Sequence, residues 1–101
     1  MDSPLKYDEA IKKEFGIDKI EIEPELVLGF ARTQLDEITK FLIRERIELI
    51  LAEAQAVNDS EAIAAEAKTK VASHRNTIKG IVASINVLQK FVDELQATIA
   101  K

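Results

Sequence analysis

Apolar residues in the C-terminal part of the chain recur at alternating steps of three and four residues without a break. The series begins at Ala64 and ends at Ile99. A period of 3.5 residues sustained over about five heptads predicts a helix with a coiled-coil type seam. The polar triplet Asn58-Asp59-Ser60 supplies turn formers and an N-cap, so we expect this helix to span residues 60–100.

The segment before the polar triplet carries a second apolar stripe. Pro24 suits a first helical turn, and the pattern predicts a helix over residues 25–57. Near the triplet both stripes narrow to alanines such as Ala52 and Ala64, which allow close approach at a tight bend. The sequence therefore predicts an all-α fold, a long antiparallel helical hairpin. The predicted seam residues are Leu35, Ile38, Leu42, Leu49, Val71, His74, Ile78, Ile81, Ile85, Leu88, Val92 and Leu95.

The N-terminal quarter of the chain has a different pattern, which predicts a short helix and an arm. Ser3 and Pro4 resemble a helix start and Gly16 a helix stop, so we expect a short helix over residues 4–15. An arm over residues 17–23 follows, in which isoleucines alternate with charged residues. This arm is either an extended connector or a segment that adds to another chain. Its candidate contact residues are Ile20, Glu21, Ile22 and Glu23. We expect one domain overall, divided into residues 1–24 and the hairpin of residues 25–101.

An apolar belt in the first long helix exceeds what a hairpin can bury. Seven of the eleven residues from Phe41 to Leu51 are large and apolar, and they point in several directions around the helix. The short N-terminal helix offers cover for one flank through Tyr7, Ile11 and Phe15. We expect self-association or a partner protein to bury the remainder, since each large side chain left in water forgoes about 1.5–3 kcal/mol. The predicted interface residues are Phe41, Ile43, Ile47, Ile50, Leu51, Val82 and Phe91.

Composition and charge narrow the functional classes. The chain is 47% hydrophobic and 5% aromatic, with five Gly and Pro residues together, which argues against disorder and against a β-sandwich. Absence of cysteine excludes disulfides and thiolate metal sites. Residues 1–25 hold eight acids against four lysines. The basic residues of the last helix, Lys68, Lys70, Arg75 and Lys79, lack interleaved aromatics for base stacking. We therefore favour their pairing with the acidic arm, of the same or of a neighbouring subunit, over nucleic-acid binding.

No residue pattern indicates catalysis. His74 is the single histidine, and Val71 stands three residues before it, where a di-iron helix would carry glutamate. Without cysteine or a second histidine we expect no metal site, no cofactor and no enzyme activity. His74 then has a structural or register role, and the alternative is a functional role as a ligand, a pH-sensitive switch or a base.

Three features of the hairpin resemble small helical-hairpin proteins encoded among the capsid and tail genes of tailed bacteriophages. They are the run from Ile38 to Ile50, the polar turn at Asn58 to Ser60, and the stretch Arg75-Asn76-Thr77-Ile78-Lys79-Gly80-Ile81 that leads to Ile85, Leu88 and Leu95. The similarity spans about residues 35–96. It implies an accessory virion or assembly component and carries over no catalytic residue. The N-terminal helix and the arm lie outside it.

These observations favour a non-enzymatic structural protein that associates with itself or with other structural proteins, in a phage head, connector or tail if the resemblance holds. The alternative is a soluble adaptor, antitoxin or chaperone that covers a partner's apolar groove; a small helical nucleic-acid binder is less favoured. The sequence shows neither a signal peptide nor an apolar run of membrane-spanning length. We therefore expect no membrane partner and a cytoplasmic origin, with incorporation into a virion as one destination.

Overall fold

The protein is a helical hairpin preceded by a short helix. The computed structural model describes residues 5–101, except for the side chain of Lys6. Three helices follow one another there: α1 (Lys6–Phe15), α2 (Pro24–Gln55) and α3 (Glu61–Ala100). Residues 5–101 contain no β-strand. The all-α hairpin predicted from the sequence is confirmed, and so is the short helix in front of it.

The ends of α2 and α3 follow local sequence signals. Pro24 opens α2, where its missing N–H costs nothing because first-turn N–H groups have no partner within a helix. Ser60 caps α3, and its Oγ accepts a hydrogen bond from the Ile63 N–H at 3.5 Å. α2 ends at Gln55, slightly before the predicted end, because the Asn58 N–H bonds to the Gln55 carbonyl and turns the chain.

The seam between α2 and α3 runs along the whole hairpin. Every residue that the sequence analysis assigned to it lies buried or half-buried. Glu45, a charged residue at a position where the α2 stripe would carry an apolar one, is buried on the seam as well. The interval of three and four residues therefore continues through the polar position, as it does through His74 on α3.

The densest packing lies at the end of the hairpin away from the turn, which we call the distal end. Leu28 and Ala31 of α2 pack there against Val92 and Leu95 of α3, and Leu95 is fully buried. Partly buried residues that surround this cluster are Leu5, Val27, Leu88, Phe91 and Ile99. At the opposite end, which we call the turn end, the buried apolar seam residues are the alanines Ala52 and Ala67.

α1 ends at a glycine in the left-handed conformation. Gly16 has a φ of 64°, and its N–H bonds to the carbonyl of Lys12. Any residue with a Cβ would be strained at this φ, so glycine is the residue that lets the chain leave the helix here. The predicted helix start at Ser3 and Pro4 lies outside the described residues.

The connector between α1 and α2 is non-helical, as predicted. It is not extended throughout, because the Ile20 N–H bonds to the Ile17 carbonyl at 3.0 Å and forms a turn. Glu23 adopts an extended conformation immediately before α2. The connector, in which isoleucine and glutamate alternate, therefore consists of a turn and a short extended stretch.

The molecule is elongated, and this limits how much surface it buries. Its extents are 64 × 29 × 21 Å and its radius of gyration is 20.1 Å, compared with about 13 Å for a compact chain of this length. Its accessible surface is 7796 Å², compared with about 5,700 Å² for a compact protein of this mass. Two helices in one layer leave each with a large outer face toward solvent.

Candidate functional site

Several large apolar side chains of α2 are exposed near the turn end. Ile47 is 53% exposed, Ile50 62% and Leu51 60%. Ile43 and Phe41 are exposed to a similar degree. We call the five residues Phe41, Ile43, Ile47, Ile50 and Leu51 the outer belt.

The outer belt contains a second seam. From Ile43 the apolar positions proceed to Ile47, Ile50 and Ala54 at steps of four, three and four residues, and Val57 follows three residues later. All of them are exposed. This spacing is that of a coiled-coil seam, on the side of α2 that α3 does not cover. The side chains before Ile47 and Ala54, namely Arg46 and Glu53, follow one edge of it.

Two predicted interface residues lie apart from the outer belt. Phe91 is half-buried and packs against the cluster at the distal end, so the prediction that it is uncovered needs correction. Val82 is exposed, but it lies on α3. At 100° per residue Ile43, Ile47 and Ile50 share one side of α2, whereas Phe41 points about 160° away from Ile43. The structure therefore does not bring all the predicted interface residues onto one surface.

α1 does not cover the outer belt. It lies at the distal end, where Tyr7 and Ile11 line a pocket of about 180 Å³ together with Ile22, Val27 and Phe91. Tyr7, Ile11 and Phe15 themselves remain exposed. The expectation that α1 covers a flank of the belt is wrong, because the turn after Gly16 and the connector hold α1 beside the start of α2.

Three polar side chains meet where the seam passes the turn end, and we call them the seam cluster. His74 Nδ1 lies 2.7 Å from Glu45 Oε2, and His74 Nε2 lies 3.8 Å from Glu48 Oε2. Glu45 is only 9% exposed, and the other two side chains are partly buried. Potential metal-ligand atoms of the three residues all lie within 4.8 Å of one another.

Neighbouring contacts orient the seam cluster. Arg44 Nε donates to Glu48 Oε1 at 3.4 Å, so the other carboxylate oxygen is the one toward His74. Glu45, the neighbour of Arg44 in sequence, points toward α3 and contacts His74. A groove of about 400 Å³ adjoins the cluster and is lined by Glu48, Leu51, Ala52, Gln55, Ile63, Glu66, Ala67, Lys70 and His74.

Sequence reasoning missed this cluster, although a signal for it exists. Glu45 and His74 are the polar positions in two otherwise apolar stripes, and they lie equally far in sequence from the boundary between Asp59 and Ser60. In an antiparallel hairpin, positions equally far from the turn stand opposite each other. The absence of cysteine and of a second histidine drew attention away from carboxylates as partners of His74.

The acidic arm makes its described ion pair within the chain. Lys12 Nζ donates to Glu21 Oε2 at 2.9 Å, and Lys12 is only 7% exposed. The hydrogen bond to Glu21 raises the pKa of Lys12, and the carboxylates of Glu9 and Asp8 act in the same direction. Of the other predicted arm contacts, Ile20, Ile22 and Glu23 are exposed.

The basic residues of α3 do not meet this arm in the structure. Arg75 Nη2 lies 2.6 Å from Glu53 Oε1 of α2, and Lys70 pairs with Glu66 at 3.4 Å. Lys68 and Lys79 are exposed on α3. The expected pairing between arm and α3 within one chain is therefore absent from residues 5–101, since Glu21 is held by Lys12.

Comparisons with known proteins add no family to this picture. No family model matches the sequence, and neither a curated protein nor a solved structure matches the chain. Within residues 5–101, none of the helices combines the length and the apolar character needed to cross a bilayer. The function is therefore argued from the geometry of the outer belt and the seam cluster.

Proposed function

We propose that this chain is a non-enzymatic structural protein that assembles with copies of itself through the outer belt. The observation that carries the proposal is the second apolar seam on the side of α2 opposite α3. Exposed apolar residues scattered singly are normal on a protein surface, whereas a contiguous stripe indicates a contact surface. Ile43, Ile47 and Ile50 of the outer belt form such a stripe, since they lie within about 60° of one another around α2.

The free energy available at the outer belt is large for so small a hairpin. Burying the exposed halves of its five side chains recovers about 4–7 kcal/mol. The whole stability of a small domain is about 5–15 kcal/mol. Association through this surface thus offers a stabilisation comparable to that of the fold itself.

A second copy of the chain is the occupant that the belt fits best. The steps of four and three residues from Ile43 to Ala54 match the seam that another helix with the same spacing presents. If two copies pair antiparallel about a two-fold axis, each contact occurs twice. Arg46 of one copy then faces the edge that carries Glu53 of the other, whose carboxylate also pairs with Arg75 within its own chain. This places complementary charges beside the apolar centre.

The resemblance to hairpin proteins of tailed bacteriophages supplies the most concrete setting. In that setting the chain is an accessory virion or assembly component that packs repeatedly through its outer belt. A soluble adaptor that covers a partner's apolar groove would use the same surface, but with a different protein on it. Oligomeric state separates the two roles.

The test is Ile47→Asp, which places a charge at the centre of the outer belt. We expect the wild-type chain to sediment as a dimer whose population grows with protein concentration and persists in high salt. Ile47→Asp should sediment as a monomer with unchanged helicity by circular dichroism. Asn76→Asp is the matched control, because it adds the same charge on the exposed side of α3 and should leave the dimer intact.

A monomeric wild-type chain at high concentration would contradict the proposal. So would an Ile47→Asp variant that still dimerises. A stable one-to-one complex of the wild-type chain with a different protein, lost in Ile47→Asp, would replace the proposal with the adaptor role.

A further inference from the structure

We propose that the seam cluster of Glu45, Glu48 and His74 binds one divalent transition-metal ion, of which Zn²⁺ is the best match. Two residues of this set come from α2 and one from α3. An ion held by all three would join the two helices at the point where their seam is polar. The inference does not rest on the proposed assembly role, because none of the three residues belongs to the outer belt.

The distances bring the three side chains close to a coordination geometry. Donor atoms from the three residues all lie within 4.8 Å of one another. Around a tetrahedral ion with bonds of about 2.0–2.1 Å, neighbouring ligand atoms are about 3.3 Å apart. The contacts at 2.7 Å and 3.8 Å involve opposite nitrogens of the imidazole, Nδ1 and Nε2, and one ion binds only one of them. Donor atoms as far as 4.8 Å apart must therefore approach one another by up to about 1.5 Å through rotation of the glutamate side chains.

Charge also favours a divalent ion. The two carboxylates of Glu45 and Glu48 lie one helical turn apart and face a single imidazole. Arg44 Nε, 3.4 Å from Glu48 Oε1, supplies one positive charge beside Glu48, so a divalent ion would chiefly balance the Glu45 carboxylate. Glu45 is the more constrained, because it is 9% exposed and a buried carboxylate requires a close counter-charge.

The chemistry of the donor set selects the kind of ion. One imidazole nitrogen and two carboxylate oxygens are ligands that Zn²⁺ accepts in proteins, usually with a water in the fourth position. Mg²⁺ and Ca²⁺ prefer sets made of oxygen alone. The groove that adjoins Glu48 and His74 opens to solvent and leaves room for the ion to enter and for a bound water.

The experiment uses the full, untagged chain after treatment with EDTA, and titrates it with Zn²⁺ in a calorimeter. We expect one Zn²⁺ per chain. In parallel, Co²⁺ should give the visible absorption of a tetrahedral site. Because an ion that binds only the folded state stabilises it, Zn²⁺ at a hundredfold excess over Kd should raise the thermal midpoint by at least about 10 °C.

Matched variants separate this site from adventitious binding. Glu48→Gln, which changes a partly exposed side chain, should weaken Zn²⁺ binding at least tenfold while the helicity stays the same. His74→Asn should remove the Co²⁺ spectrum. Glu66→Gln is the control, because Glu66 lines the same groove outside the ligand set and should bind Zn²⁺ like the wild type.

Failure would be equally clear. The inference is overturned if the wild-type chain binds no Zn²⁺ at a concentration of about 100 μM, or if Glu48→Gln and His74→Asn bind it as tightly as Glu66→Gln does. The variant Ile47→Asp keeps all three ligands. It should therefore bind Zn²⁺ normally even where it no longer dimerises, which distinguishes failure of this site from failure of the assembly role.

Discussion

The two ends of the hairpin distribute their apolar residues in opposite ways. At the distal end Leu28, Val92 and Leu95 fill the space between α2 and α3. At the turn end the buried apolar seam residues are Ala52 and Ala67, and apart from the half-buried Leu49 the large aliphatic side chains of α2 there are exposed. The larger apolar core therefore lies at the distal end, although Leu26 and Phe30 remain exposed there, and the outer belt lies at the turn end.

This difference indicates that the two ends of the hairpin have different roles, one in stability and one in association. Large side chains between the helices stabilise the distal end within a single chain, because their burial contributes favourable free energy there. Alanines at the turn end permit a close bend but contribute little burial. The apolar area that the turn end does not bury lies on the outer belt, where another chain can contact it. Stability and association should therefore respond to mutations at different ends of the molecule.

Truncating matched leucines at the two ends tests this division most strongly. Leu95→Ala removes a fully buried side chain and should lower the free energy of unfolding by about 2–5 kcal/mol at every protein concentration. Leu51→Ala removes a side chain that is mostly exposed in the isolated chain. It should lower stability only at concentrations where the chain associates. Urea unfolding of both variants, at a low and a high protein concentration, measures the difference.

Equal losses in the two leucine variants at low concentration would break the comparison. They would mean that Leu51 is already buried within the single chain. A concentration-dependent loss in Leu95→Ala would likewise mean that the distal end takes part in association.

Replacing His74 with leucine tests the contribution of the polar pair of Glu45 and His74, which lies on the seam between the two ends. His74→Leu leaves the Glu45 carboxylate on the seam without its imidazole, which should cost about 1–3 kcal/mol of unfolding free energy. The double variant Glu45→Leu with His74→Leu makes the seam apolar throughout and should regain this loss. Both are measured by urea unfolding in EDTA, so that no metal ion contributes.

The control for this pair is Asn76→Leu, which adds a leucine at an exposed position of α3 and should leave stability nearly unchanged. If His74→Leu is as stable as the wild type, then Glu45 is well solvated in solution. In that case the contact between Glu45 and His74 would contribute little to the free energy of unfolding.

Most of the fold could be predicted because its signals are local and periodic. The heptad spacing from Ala64 to Ile99 and the polar triplet before it determine a helix and its start. The place of α1 could not be predicted in this way. It depends on the turn after Gly16 and on the ion pair between Lys12 and Glu21. A repeating pattern of apolar residues carries no information about either contact.

The candidate sites divide along the same line. The outer belt could be read from the sequence, because a helix that is apolar on several sides needs more than one neighbour. The seam cluster depends on which α2 residue faces His74, and therefore on the register between the helices. Glu45 was visible as an interruption of a stripe, but its burial follows only once α3 lies against it. Phe91 was misplaced for the same reason, since α1 and Leu5 reach its neighbourhood from outside the hairpin.

The smallest expected effect concerns an ion pair on the flank of the turn end. Arg75 and Glu53 join α3 to α2, but both side chains are exposed. Because water and salt screen such charges, Arg75→Gln should lower the free energy of unfolding by less than about 1 kcal/mol, and the difference should vanish in about 1 M NaCl. Urea unfolding at low and high salt measures it, with the partly buried pair of His74 as the reference. A larger loss that survives high salt would mean that charged contacts on the flank, and not the seam, hold the turn end together.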